Sequence, residues 1–237
     1  SKKELTQFHM DLAASIQVIT EEIVIKIAKS LKKETGLKKL CLAGGVALNC
    51  VANGKLIEEK IFDDIWIQPA SGDAGSALGA ALACWYQYFK KQRTINEDDS
   101  MKGSYLGPSY SNDQINSYLK DIRAQYQLLS DDELTTTISK LLDEGKIIGW
   151  FNGRMEFGPR ALGGRSIIGD PRNKKMQSIM NLKIKFRESF RPFAPSILEE
   201  DVSSYFNTNK KSPYMLIVSS VIDQIKLTMS QSEMKLF

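Results

Sequence analysis

Four arginines, Arg154, Arg160, Arg165 and Arg172, stand among Gly153, Gly158, Gly163, Gly164 and Gly169 in the stretch NGRMEFGPRALGGRSIIGDPR. Arginines repel one another, and each glycine weakens a helix or strand by about 0.5–1 kcal/mol. Such a stretch destabilises a fold unless an anion offsets it. The planar guanidinium fork pairs bidentately with phosphate oxygens. Glycines let backbone come close to a ligand and supply N–H donors. The expected chemistry is the clamping of a small, densely charged anion. A second basic stretch, KIKFRESFRPFAPS, adds Lys185, Arg187 and Arg191, with Pro192 and Pro195 fixing the chain beside them. Between Arg154 and Arg191, ten Lys or Arg face only Glu156, Asp170 and Glu188. That segment carries +7 while the whole chain carries +4, so the positive charge is local. A defined anion site fits this better than a generally basic surface. A solvated charged face is the bland alternative, and the interrupting glycines and prolines argue against it. Glu156 and Glu188 read as carboxylates that orient neighbouring arginines, and Phe186, Phe190 and Phe193 read as core.

A second candidate site lies earlier. LAGGVALN puts Gly44 and Gly45 between a strand and a helix start. Backbone N–H groups there, with the positive end of the helix dipole, make a phosphate seat. A tight strand-to-helix turn explains the pair equally well. The design repeats in QPASGDAGSALGAAL, where Asp73 stands at a helix start. Asp73 serves there either as a helix cap or as a metal ligand beside phosphates.

The elements that must position these residues form an α/β pattern, with a second half that reads α+β. Phe8, Leu12, Ile16, Ile19, Ile23, Ile27 and Leu31 recur at helical spacing and predict an amphipathic helix over residues 4–34 that ends near Gly36. KKLCLAGG and DDIWIQPAS are short strands. VALNCVANGKLIEEKIF reads as a helix weakened by Asn53-Gly54, and GDAGSALGAALACWYQYF as a close-packing helix. Strand, glycine turn and helix, twice over, imply parallel pairing. Residues 91–104 are polar and without period, and read as a linker. Beyond them LGPSYSNDQINSYLKD reads as a turn and a short helix, residues 131–144 as another helix, GKIIGWFNG as a buried strand and NKKMQSIMNLKI as a helix, with a strand after FRPFAPS. The expected domains are 1–90 and 105–237.

With 237 residues, 42% hydrophobic and 25% charged, the chain has the composition of a globular protein. It has no apolar run long enough to span a membrane and no signal-peptide pattern. Cys41, Cys50 and Cys84 are odd in number and form no C-x-x-C pair. They are expected to be buried structural thiols in a reducing, cytoplasmic setting.

The motifs LCLAGGVALNCVANGKL and IQPASGDAGSALGAAL resemble the second half, or second lobe, of the nucleotide-binding carbamoyl-transfer domain of nodulation-type O-carbamoyltransferases. NGRMEFGPRALGGRSIIGDPR and KIKFRESFRPFAPSI resemble that family's YrdC-like domain. The resemblance implies a partial actin/Hsp70-like (ASKHA) lobe followed by a partial YrdC-like domain. It implies that carbamoyl phosphate and ATP form carbamoyl-adenylate, whose carbamoyl group passes to a hydroxyl of a sugar or natural-product acceptor. On this resemblance Arg160, Lys185 and Arg191 are catalytic carbamoyl-phosphate ligands, and Arg154, Arg165, Arg187 and Ser196 are substrate-binding. Gly44, Gly45, Val46 and Asn49 contact nucleotide, and Asp73 binds a divalent metal, iron or magnesium. The family's H-x-x-x-H metal pair is absent: the one histidine, His9, reads as a helix-surface residue. An N-T-S-F-N-like closing motif is also missing, so the chain is expected to be part of a protein more than twice as long. A tRNA threonylcarbamoyladenosine enzyme and a catalytically silent nucleotide-binding fragment are the alternative functions. Nucleic acid is not the expected partner, because few aromatic stacking residues accompany the basic ones. A homodimer stays open.

Overall fold

The computed structural model describes residues 5–95 and 98–228. Residue 4 of the expected first helix and residues 96–97 of the expected linker lie outside them. The chain forms two compact units, one of residues 1–76 and 196–237, the other of residues 77–195. The architecture is mixed helix and small sheet. No helix among the described residues is long and apolar enough to cross a membrane.

The first unit opens with α1 (Gln7–Thr35), closed by Gly36 at φ +66°. A left-handed C-cap of this kind favours glycine. Strand β1 (Lys39–Leu42) pairs in parallel with β2 (Asp64–Ile67), matching Leu40 to Ile65 and Leu42 to Ile67. Between them lie a 3₁₀ turn (Gly45–Leu48) and α2 (Cys50–Glu58). Ala28 of α1, Leu56 of α2 and Phe62 form one buried cluster, flanked by Val24, Leu40, Leu42 and Ile65. A second joins Ala47, Ile67 and Leu216. Beside the first cluster, the buried Glu21 carboxylate pairs with Lys55 of α2 and accepts from Gln17 at 2.7 Å.

The apolar stripe of α1 turns out differently from an ordinary core face. Phe8, Leu12, Ile16, Ile19, Ile23, Ile27 and Leu31 are all exposed, Phe8 at 70%. The nine-residue α2 is short and covers the Glu21–Ala28 side instead. The cysteines also differ from expectation: Cys41 and Cys84 are exposed and Cys50 half-buried. Among the described residues one face of the two-stranded sheet is covered, and Cys41 shares the other with its partner Trp66.

The Asn53-Gly54 pair, a weak point by helix propensity, is a docking point. Asn53 Nδ2 donates to Ala47 O at 2.8 Å and to Leu216 O at 2.9 Å. A Cβ on Gly54 would lie 2.1 Å from Val218 O, so only glycine admits this approach. Val218 N–H donates to Cys50 O at 3.1 Å. These contacts draw residues 214–218 into the first unit, whereas the sequence pattern groups them with 105–237. Helix α3 (Asp73–Ala83) contains the other boundary between units, after Ser76.

The second unit carries α4 (Asn112–Asp121) and α5 (Asp131–Asp143), each opened by a serine capping box at Ser111 or Ser130. Strand β3 (Ile148–Phe151) pairs antiparallel with β4 (Arg165–Ile168), so the arginine-glycine stretch is the connection of a hairpin. Helix α6 (Met176–Ile179) continues as a π-helical turn over Met180–Ile184. Gly169 is a packing glycine: its Cβ position lies within 2.9 Å of Met176 and Met180 side-chain atoms. The end of the expected linker belongs to this unit, with Met101 and Ser104 buried and Phe157 N–H donating to Ser104 O at 2.7 Å. No strand follows FRPFAPS among the described residues; the chain runs irregularly to a short helix, α7 (Val202–Tyr205).

Candidate functional site

The hairpin connection is organised by one buried carboxylate. Glu156 is 7% exposed, and its Oε1 accepts from the N–H groups of Leu162 (2.7 Å), Gly164 (2.7 Å) and Arg165 (3.2 Å). Burial is the largest single influence on this carboxyl and pushes its pKa up. The converging N–H donors together outweigh it, and the group sits below the usual carboxylate range. Glu156 therefore orients backbone rather than an arginine side chain. Gly163, at φ +107°, donates its N–H to Ser166 Oγ at 2.9 Å. The N–H groups of Gly163 and Gly164, expected to face a ligand, are thus engaged within the loop. A Cβ on Gly164 would approach Arg154 O at 2.6 Å, which explains that glycine by packing alone.

The arginines separate into different roles. Arg165 donates to the carbonyls of Asn152 (3.1 Å), Gly164 (2.7 Å) and Gly153 (3.2 Å). Its guanidinium lies 3.4 Å from the centroid of the Phe151 ring. It holds the hairpin mouth together. Arg172 is paired with Asp170 and Asp143, at 2.9 and 2.7 Å. Arg154 is exposed, donates to Gly107 O at 3.0 Å, and lines a cavity of about 310 Å³ with Tyr105, Asn152, Gly153 and Gly163. Tyr105, on the same lining, donates its hydroxyl to Leu162 O. Arg160 is half-buried on the same connection.

The second basic loop hangs from α6 and its π turn. Lys185 is exposed and forms no ion pair among the described residues. Arg187 Nε donates to Asn181 Oδ1 at 2.6 Å, and its guanidinium lies 4.9 Å from the Phe193 ring centroid. Arg191 pairs with Glu188 at 2.9 Å, as expected of that acid. Ser196 is exposed, where the chain re-enters the first unit. Phe186 and Phe190, expected in the core, are 83% and 66% exposed. Sequence patterns do not single out Tyr105, Asn152 or Asn181. Neutral residues carry no charge signature, and only the fold reveals their partners.

At the first glycine pair, Gly44 has φ +94° and Gly45 opens the 3₁₀ turn. The first hydrogen bond of that turn runs from Ala47 N–H to Gly44 O at 3.0 Å, so the N–H groups of Gly45 and Val46 precede it. Among the described residues, no atom beyond the chain neighbours lies within 4 Å of a Cβ placed at Gly44 or Gly45. Open space beside the leading N–H groups of a turn fits a phosphate group. Val46 is 62% exposed. Asn49 has a structural role. It caps α2 through Ala52 N–H at 3.0 Å and exchanges hydrogen bonds with Gln17 of α1. Asp73 is exposed in the first turn of α3, favourably placed for the helix dipole. Among the described residues no group of three or more His, Cys, Asp or Glu could hold a metal ion. His9 accepts from Thr6 N–H at 3.1 Å as part of the α1 cap.

Comparison with known proteins places both stretches in one family. Residues 1–82 match the family model described as carbamoyltransferase N-terminus, and residues 139–233 match carbamoyltransferase C-terminus. Nodulation protein NolO of Bradyrhizobium diazoefficiens is 41% identical over 220 residues, 91% of this chain and 39% of that protein. An uncharacterized protein of Synechocystis is 57% identical over 235 residues, 98% of this chain and 38% of its own length. Nodulation protein U of Sinorhizobium fredii is 34% identical over 209 residues, 87% of this chain and 35% of that protein. The chain spans about two fifths of the length of such curated relatives.

Proposed function

The chain belongs to the carbamoyltransferase family, and we propose that in its full-length protein it acts as an O-carbamoyltransferase using carbamoyl phosphate and ATP. The observation that supports this reading is the pair of basic loops, 152–165 and 185–191, inside the region matching the C-terminal family model. Arg160, Lys185 and Arg191 are the proposed clamps on carbamoyl phosphate, with Arg154 beside the cavity and Arg187 and Ser196 supporting. Arg165 contributes by shaping the loop. Water takes the phosphoryl group of carbamoyl phosphate, releasing phosphate and carbamate. A carbamate oxygen then attacks the α-phosphorus of ATP, and pyrophosphate leaves. An acceptor hydroxyl finally takes the carbamoyl group, releasing AMP and a proton. The basic side chains stabilise the negative charge that develops on phosphate oxygens in the first two steps.

Gly44, Gly45 and Val46 are the proposed nucleotide-phosphate contacts of the first unit. The acceptor class proposed is a hydroxylated small molecule or glycan, and the setting cytoplasmic. A second reading, a nucleotide-binding piece without catalysis of its own, draws support from the open space beside the Gly44–Gly45 turn. ATP–pyrophosphate exchange driven by carbamoyl phosphate separates the two. Exchange by the full-length protein supports the first reading. Nucleotide binding without exchange, in both the full-length protein and the isolated chain, supports the second.

A further inference from the structure

We infer that Asn181 is the positioning residue of the second basic loop, setting the arginines that the proposed function assigns to carbamoyl phosphate. The inference rests on that reading of the loop as an anion site. Asn181 is fully buried, at 0% exposure, in the π-helical turn that follows α6. Its side chain reaches three points of one loop. Oδ1 accepts from Arg187 Nε at 2.6 Å, and Nδ2 donates to Ser189 O at 3.1 Å and to Arg191 O at 2.7 Å. Its own carbonyl accepts Arg187 N–H at 3.0 Å. Gln177, four residues earlier, reinforces the same anchor by donating to Phe190 O at 3.3 Å and Arg191 O at 3.1 Å.

The chemistry of the amide is specific to this role. Two carbonyls need two N–H donors and the guanidinium needs an acceptor, and one primary amide supplies both. A carboxylate would present oxygen to both carbonyls, and an aliphatic side chain would take this partner from Arg187 Nε and Ser189 O and leave Arg191 O to Gln177. The loop would then lose the fixed backbone from which Lys185, Arg187 and Arg191 project. Clamps of this kind act through preorganised geometry, so a loosened loop weakens anion binding while leaving its charge intact.

The test uses the full-length protein with Asn181→Asp, Asn181→Leu and Gln177→Leu. Two quantities are read: the carbamoyl-phosphate KM against kcat in ATP–pyrophosphate exchange, and the affinity for inorganic phosphate by calorimetry. Loss of buried hydrogen bonds to a charged group predicts a KM rise of about tenfold or more for a folded Asn181 variant. Phosphate affinity falls in parallel, kcat changes less, and Gln177→Leu shows a smaller shift in the same direction. A folded Asn181 variant with unchanged KM and phosphate affinity overturns the inference. If both Asn181 variants fail to fold, an unchanged KM and phosphate affinity in Gln177→Leu overturns it. Wild-type phosphate binding that Asn181→Asp abolishes, in a protein without carbamoyl-phosphate-dependent exchange, upholds the inference and overturns the proposed function. Exchange with normal KM in the variants does the reverse. A wild type that binds neither phosphate nor carbamoyl phosphate overturns both.

Discussion

Asn53 Nδ2 donates to Leu216 O at 2.9 Å, joining positions 163 residues apart. With the close approach of Val218 to Gly54, this hydrogen bond fixes a returning segment against α2. The first unit is thereby built from both halves of the sequence.

Substituting Gly54→Ala tests that junction. Alanine favours a helix interior by about 1 kcal/mol over glycine. Here its Cβ meets Val218 O at 2.1 Å, so the backbone must move. Overpacking of this kind destabilises by roughly 1–3 kcal/mol. Denaturant midpoints should fall; a midpoint raised by the helix preference would show that residues 214–218 do not dock on α2.

Glu156 predicts a pH signature. Its folded pKa is depressed, so its stabilising contribution is present above the unfolded value of about 4.3 and is lost as pH falls through the folded value. Glu156→Gln should cost about 1.5–3 kcal/mol at neutral pH, the range for charge-assisted hydrogen bonds. The gap between wild type and variant should narrow below pH about 4.3. Denaturation curves collected across this range would reveal a pH-independent gap if the carboxylate charge played no part.

Gly45→Val probes the proposed nucleotide turn. Among the described residues, no atom beyond its chain neighbours lies within 4 Å of its Cβ position, and Gly45 has no positive φ. The variant should fold with a melting temperature close to wild type while ATP affinity drops. Gly44→Val, at φ +94°, should lower stability as well. Equal ATP affinity in wild type and folded Gly45→Val, by calorimetry, would show that this turn holds no nucleotide phosphate.

Arg165 and Lys185 should differ in kind. Arg165 is engaged by three carbonyls and the Phe151 ring, so Arg165→Ala should lower the melting temperature. Lys185 is exposed and forms no ion pair among the described residues, so Lys185→Ala should leave melting unchanged and reduce turnover by about 10²–10³. Thermal melts beside exchange rates check both, and the reverse pattern would reassign the two residues.

Much of the architecture is legible from period and punctuation. Helix α1 ends at Gly36, and β1 and β2 pair in parallel, because each depends on local chemistry. The long-range features are not legible. Asn53-Gly54 looks like a flaw in a helix until Leu216 and Val218 arrive against it. The apolar stripe of α1 is visible as a period, but period alone does not say whether a partner covers it. At the candidate site, the density of arginine is plain in the sequence, while its division of labour is not. Arg165 reaches Asn152 and Gly153 across the hairpin and Arg172 reaches Asp143 of α5, partners distant in sequence that only the fold brings near. Asn181 carries no charge and no motif signature, so its three hydrogen bonds emerge only from the fold.

Carbamoyl-phosphate activation is tested most directly by ATP–pyrophosphate exchange in the full-length protein, with carbamoyl phosphate as the varied substrate. Exchange should require carbamoyl phosphate. Arg160→Ala and Lys185→Ala should each slow it by about 10²–10³, or roughly 3–4 kcal/mol, while supplied carbamoyl-adenylate is still transferred to the acceptor. Exchange that proceeds without carbamoyl phosphate, or that both folded variants sustain at the wild-type rate, would contradict the assignment.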